Sequence, residues 1–208
     1  FVDCKKALSE SKNNIDIAIE ILRKKGLSTA NKKSLRDANE GVVCINFYEK
    51  HSTIMEVNTE TDFAAKNIQF INFIKELIKI SLGANNIDEL LMIKNNENIT
   101  VEEMINNTIA KIGENIVLKR FYRMEEEDHT KIFGYVHNSY EKNIGKIACL
   151  LKIKSDKFSD ELVSISKNIC MHIAAMKPLA LDISDLDDNL ISKEKKILFE
   201  NIKSLNKS

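Results

Sequence analysis

Cys170 and His172 are residue types that could act as nucleophile and base, and they lie close together in the chain. On a helix, two residues apart, they point about 160° away from each other and cannot hydrogen-bond as a dyad. Cys4, Cys44, Cys149 and Cys170 are scattered without a C-x-x-C pair, and His51, His129, His137 and His172 are isolated. Zinc ligation is therefore not indicated, and the cysteines read as reduced, mostly buried small hydrophobes. The acidic runs "TETD" and "EEED" lack the glycine and the terminal bidentate Glu of a calcium loop. Six glycines leave no phosphate-cradling loop of either common pattern. The chain thus offers no catalytic constellation, no metal site and no cofactor site.

What remains is a corner, "EVNTETDFAAKN", residues 56–67, which begins as an alternating strand and ends as a helix opening. Read locally, Thr61 is a helix N-cap and Asp62 is favoured by the helix dipole by about 0.3–1 kcal/mol. Phe63 lies seven residues before Phe70, so on a continuous helix it starts the apolar stripe. This local reading expects a buried Phe63 and an Asp62 bonded only to nearby amides.

The elements around this corner follow from periodicity. "DCKKALSES" suits one helix. In "NNIDIAIEILRKKG", Ile15, Ala18, Ile19 and Leu22 keep helical spacing, with Asn14 as N-cap and Gly26 as the stop. Two such helices bury little, so a third is expected upstream of Phe1. The polar "LSTANKKSLRDANEG" suits a linker with a helical turn or more. "VVCINFY" and "TIMEVN" form a hairpin across "EKHS". Phe70, Phe73, Ile74, Leu77, Ile78 and Ser81 mark a helix closing near Gly83. Thr100 and Glu103 open another as a capping box, which stops at Gly113. "NIVLKRFYRM" is a strand. "IFGYVHN" and "IGKIACLLKIK" are strands around "SYEKN". The helix that follows carries Leu162, Ile165, Ile169, Ile173 and Met176 on one side and ends at Pro178. The strand–strand–helix scheme occurs twice, which indicates two related α+β subdomains. The charged tail "LISKEKKILFENIKSLNKS" reads as a helix reaching away from the body.

Lys and Arg balance Asp and Glu at 31 each, so no net field steers the 208-residue chain to nucleic acid or an anionic membrane. The first 36 residues are nevertheless basic, and apolar runs are broken by charge too often to span a bilayer. The chain begins at Phe1 rather than Met, which points to a processed or trimmed start.

The phrases "DCKKAL", "IDIAIEILRKKG", "EVNTETDFAAKN", "KIGENIVLKR", "HNSYEKNIGKIACLL" and "HIAAMKP" occur in order along nearly the whole chain. In that order and spacing the sequence resembles the elongation factor Ts family, the nucleotide-exchange factors of elongation factor Tu. The resemblance implies an α+β fold. A small ubiquitin-associated-like helical module with its linker (1–36) precedes subdomain N (37–125). An incomplete subdomain C (126–208) then runs into a coiled-coil helix. It implies GDP–GTP exchange on elongation factor Tu, with no bond chemistry, no cofactor, no direct nucleic-acid contact and no membrane. The family's T-D-F-V motif falls on Thr61, Asp62, Phe63 and Ala64. Its Asp and Phe push beside the partner's nucleotide and displace the elements that hold Mg²⁺. On that implication Phe63 projects outward while Asp62 can still cap the helix. Phe1 and Val2 match a hydrophobic pair that also touches the G domain. His137 and Asn138 match a loop that meets the partner's third domain.

Ala64 departs from the family's valine, and the returning strand of the coiled coil, the rest of subdomain C and the C-terminal module find no counterpart after Ser208. With the trimmed start, the resemblance favours an organelle of bacterial descent, a mitochondrion or plastid, over a bacterial cytoplasm. The competing reading is a ribosome- or RNA-binding accessory protein that uses the basic N-terminal module, although that module lacks aromatic stacking platforms.

Overall fold

Asn14 accepts the Ile17 amide and so starts the long N-terminal helix where the sequence places it. The computed structural model describes residues 2–205. Its elements run α1 (Val2–Glu10), α2 (Ile15–Lys33), β1 (Glu40–Tyr48), β2 (His51–Thr59), α3 (Asp62–Ala65) and α4 (Ile68–Ile80). They continue as α5 (Ile87–Met92), α6 (Val101–Ile112), β3 (Ile116–Glu125), β4 (Thr130–His137), β5 (Ile144–Gly145), β6 (Ile147–Lys154), α7 (Asp160–Met176) and α8 (Asp188–Leu205). Contacts group residues 1–174 into one unit and residues 175–208 into another. The architecture is α+β.

In the first unit, β1 and β2 form an antiparallel hairpin from Glu40↔Thr59 to Tyr48↔His51, turning at Glu49 and Lys50. The sheet order is β3-β2-β1-β5. Val42 and Cys44 on β1 and Met55 and Val57 on β2 follow the two-residue period of a strand and face the core. Against them α4 turns Phe70, Phe73, Ile74 and Leu77, and α6 turns Val101, Met104, Ile105 and Ile109. The capping box predicted for α6 is present, and Gly113 ends the helix in the left-handed region at φ 83°. The short α5, capped by Asn86, is a helix the sequence pattern does not reveal.

Three expectations need correction. Gly26 does not stop α2. The helix runs on to Lys33, because Ala30 joins the core and the Lys33 ammonium bonds the Gly113 carbonyl at the end of α6. The strand expected over 144–154 is broken at Lys146. Its first two residues pair with β1, across the 125/126 line drawn from sequence, and the remainder pairs with β4. A side chain at Gly145 would meet Val136 Cγ1 at 2.6 Å and the His137 carbonyl at 2.7 Å, so this change of partner requires glycine.

On α7 the buried line is Ser166, Cys170 and Ala174, while Ile165 and Ile169 are exposed. The rings of Phe133 and Phe158 already fill the space beside the β4–β6 pair, so the helix approaches through its small residues. The cysteines are mostly buried, as expected: Cys44, Cys149 and Cys170 lie inside and Cys4 is exposed.

Among the described residues the second unit holds a 3₁₀ turn, Ile183–Asp185, capped by Asp182, and then α8. Among the described residues no helix is long and apolar enough to cross a membrane.

Candidate functional site

The corner between β2 and α4 is built from polar tethers below and a bare ring above. Thr61 has extended backbone, φ −127° and ψ 158°, and its Oγ1 accepts the Ala64 amide at 3.2 Å, capping the four-residue α3. Lys66 ends that helix, and Asn67 begins α4 afresh with extended backbone, its side chain accepting the Gln69 amide at 2.8 Å. This restart breaks the two-turn register between Phe63 and Phe70. Phe70 is fully buried, and Phe63 is 82% exposed. The local reading of Phe63 as the first residue of the core stripe therefore fails, because the helix it assumed is two helices.

Asp62 is likewise not confined to amides. Its carboxylate accepts a hydrogen bond from the Lys66 ammonium at 2.8 Å. That bond holds the Asp62 carboxyl below the usual aspartate range, with Lys146 adding a smaller pull, and correspondingly raises the Lys66 ammonium. Asp62 is thus an anion at neutral pH. Ala64, 4% exposed, and Ala65 face the body and form the footing of the corner rather than part of its surface.

The corner is tied to the connection between α6 and β3. The Thr61 amide donates to Glu114 Oε2 at 3.0 Å, and the Thr61 hydroxyl donates to Glu114 Oε1 at 2.7 Å. Reciprocally, the Asn115 amide donates to Glu60 Oε1 at 2.7 Å. Arg36 lies 3.3 Å from the other Glu60 oxygen, and its carbonyl accepts the Asn115 side-chain amide at 2.7 Å. Below them the Thr59 hydroxyl donates to the Thr61 carbonyl at 2.8 Å.

The other sequence-assigned residues fall in two places. His137 and Asn138 are exposed at the end of β4, with Asn138 at φ 51°. His137 Nδ1 shares a hydrogen bond with the Tyr135 hydroxyl at 3.1 Å. The His137 carbonyl accepts the Lys146 amide at 3.1 Å, and the Lys146 ammonium, 2.6 Å from Glu40, is the same one that acts on Asp62. The turn and the corner therefore share one edge. Val2 is exposed in the first turn of α1, which packs on α2. Phe1 lies outside the described residues.

No thiol chemistry assembles. Cys170 is fully buried and His172 is exposed. Cys149 Sγ donates to the Cys170 carbonyl at 3.1 Å. The neighbouring Cys149 thiol, with burial behind it, keeps the Cys170 thiol protonated far above the ordinary thiol range. Among the described residues no three His, Cys, Asp or Glu side chains gather as a metal set.

The family model described as Elongation factor TS matches residues 60–208, which begin at this corner. The chain belongs to the elongation factor Ts family. It is 41% identical over 204 residues to elongation factor Ts of Rickettsia typhi, covering 98% of this chain and 66% of that one. Elongation factor Ts of Rickettsia prowazekii matches at 41% and that of Rickettsia rickettsii at 40%, with the same coverage. The chain thus spans 66% of the length of these curated relatives. They are bacterial and lend no support to the organelle inferred from sequence. Sequence reasoning singled out Thr61, Asp62, Phe63 and Ala64, and did not single out Glu114, Glu60 and Arg36, which tether the corner in the structure. The available signal was a capping threonine followed three residues later by alanine where an acid commonly stands.

Proposed function

We propose that this chain binds elongation factor Tu carrying GDP and speeds GDP release by driving Phe63, with Asp62 beside it, against the partner's nucleotide and Mg²⁺ site. The observation that supports this most is a phenylalanine 82% exposed on a fixed corner, next to a carboxylate that stays ionised. Thr61 and Ala64 seat that corner. Val2, with Phe1 before it, and the His137–Asn138 turn serve as further points of contact. The division into an N-terminal module with a ubiquitin-associated character and two core subdomains is part of the same proposal.

Magnitudes explain why a broad interface is needed. A nucleotide held at about 1 nM and captured at about 10⁶ M⁻¹s⁻¹ leaves at roughly 10⁻³ s⁻¹. Accelerating that about a thousandfold removes about 4 kcal/mol from the barrier. Burying one phenylalanine contributes about 1.5–3 kcal/mol. Phe63 is therefore insufficient alone, and the remaining contacts must press it home. Asp62 adds negative charge beside the partner's Mg²⁺ and phosphates. The coupling is reciprocal, so nucleotide weakens this chain's binding by the factor by which this chain weakens nucleotide binding. No covalent bond changes, and the chain acts as an exchange factor rather than an enzyme. Its setting, a bacterial cytoplasm or an organelle of bacterial descent, belongs to the same proposal, and the bacterial relatives support the former.

The RNA-binding alternative loses support in the N-terminal module. Arg23 pairs with Glu103, Lys24 with Glu20, Lys25 with Asp3 and Arg36 with Glu60, which leaves fewer free cations for phosphates.

The test is release of fluorescent GDP from elongation factor Tu as this chain is titrated. Phe63→Ala is expected to lower the saturating rate about tenfold to a hundredfold, the equivalent of one buried ring. Because the ring is exposed, the variant's own stability stays within about 0.5 kcal/mol of the parent. An unaltered saturating rate removes Phe63 from the mechanism.

A further inference from the structure

Four residues cannot hold a helix by themselves, and α3 has only Ala64 and Ala65 as apolar footing. Something else fixes the direction in which Phe63 points. A threonine N-cap is commonly completed by an acid at the third helical position, which reaches back to the cap amide. Here that position is Ala64, which is buried and leaves no place for a carboxylate. The missing acid arrives from elsewhere. Glu114 takes both the amide and the hydroxyl of Thr61, from 53 residues along the chain. Glu60 returns the arrangement by accepting the Asn115 amide. Two adjacent loops thus exchange carboxylates, and Arg36, just beyond α2, closes the outer side through Glu60.

We infer that Glu114 is a positioning residue for nucleotide exchange, holding Thr61 so that the Phe63 ring meets the partner in one orientation. The inference rests on the function proposed above and adds to it a residue outside the motif. A ring that must displace a tightly held ligand loses effect when it can swing aside, because the partner then pushes the corner back instead of yielding. The clasp blocks that escape. Its polar ends are matched, since a carboxylate has two acceptor oxygens and Thr61 supplies two donors.

The test combines two measurements on the full chain. In the GDP-release titration, Glu114→Ala is expected to lower the saturating rate about tenfold while the half-saturating concentration stays within twofold. Glu114→Gln retains one acceptor oxygen and is expected to lose about threefold. A role in stability alone gives the opposite split: an unfolded fraction raises the concentration required and leaves the saturating rate intact. Amide hydrogen exchange of residues 61–66 in the isolated chain provides the second readout. It is expected to quicken in Glu114→Ala while the amides of α4 and β2 stay protected. A saturating rate equal to the parent's, or unchanged exchange at residues 61–66, overturns the inference. If the parent chain itself leaves GDP release unaltered, the proposed function falls, and amide exchange still decides whether Glu114 clasps the corner.

Discussion

Thr61 and Thr100 start helices with the same bonds, but the acids that complete them come from different distances. At Thr100 the partner is local: Glu103 accepts the Thr100 amide at 3.0 Å, and its own amide donates to the Thr100 hydroxyl at 3.2 Å. At Thr61 the amide finds Glu114 at the same 3.0 Å, but across two loops. A local box stabilises its own helix and little else. The remote one makes the start of α3 answer to the end of α6, and with that to Gly113, Lys33 and the N-terminal helices. The helix with the local box presents a buried face to the core. The helix with the remote box presents Phe63 to solvent.

This contrast can be broken most directly by removing both hydroxyls in turn. Thr61→Val and Thr100→Val are each expected to cost about 1 kcal/mol of stability, measured by chemical unfolding. The saturating rate of GDP release should fall about tenfold for Thr61→Val and stay at the parent's value for Thr100→Val. Equal behaviour of the two variants would reduce the corner to an ordinary cap.

A milder change sharpens the comparison from the other side. Gly113 has φ 83°, and nothing lies within 4 Å of where a Cβ would stand. Gly113→Ala therefore strains the backbone without a clash and costs about 1 kcal/mol. By shifting the origin of Glu114 it is expected to lower the saturating rate about threefold. An unchanged rate would show that the clasp tolerates displacement.

The smallest effect concerns pH. The Asp62 carboxyl is held below its ordinary 3.8 by Lys66, so the ionised form is favoured in the folded chain. The contribution of this pair is present above the ordinary aspartate value and is lost as pH falls through the lowered one. Between pH 6 and pH 8, on the order of the neutral range, the ratio of parent to Asp62→Asn exchange rates should be flat. A ratio that titrates there would mean that Asp62 meets a different environment in the complex.

Much of this molecule could be read along the chain. The hairpin, the stripe of Phe70, Phe73, Ile74 and Leu77, and the box at Thr100 depend on neighbours two to four residues apart, and such spacings are visible in a sequence. So was the corner motif, through its resemblance to a family. What failed were judgements about neighbours far away. Gly26 looked like an end because its helix's partner, α6, lies some eighty residues on. The α7 stripe was misassigned because the room beside it is set by Phe133 and Phe158, and periodicity carries no volumes.

The amino-acid order alone determined most of the helices and strands, though not α5 or the places where α2 ends and the 144–154 strand breaks, because local hydrogen bonds and polarity patterns act within a turn or a pleat. It also determined that Thr61, Asp62 and Phe63 stand at a joint. The local pattern put Phe63 in the core and the family resemblance put it outside; only the tertiary structure decided between them, and only it brought Glu114 to the corner. Asn67 had to restart the helix, and two loops remote in sequence had to meet before their carboxylates and amides could pair.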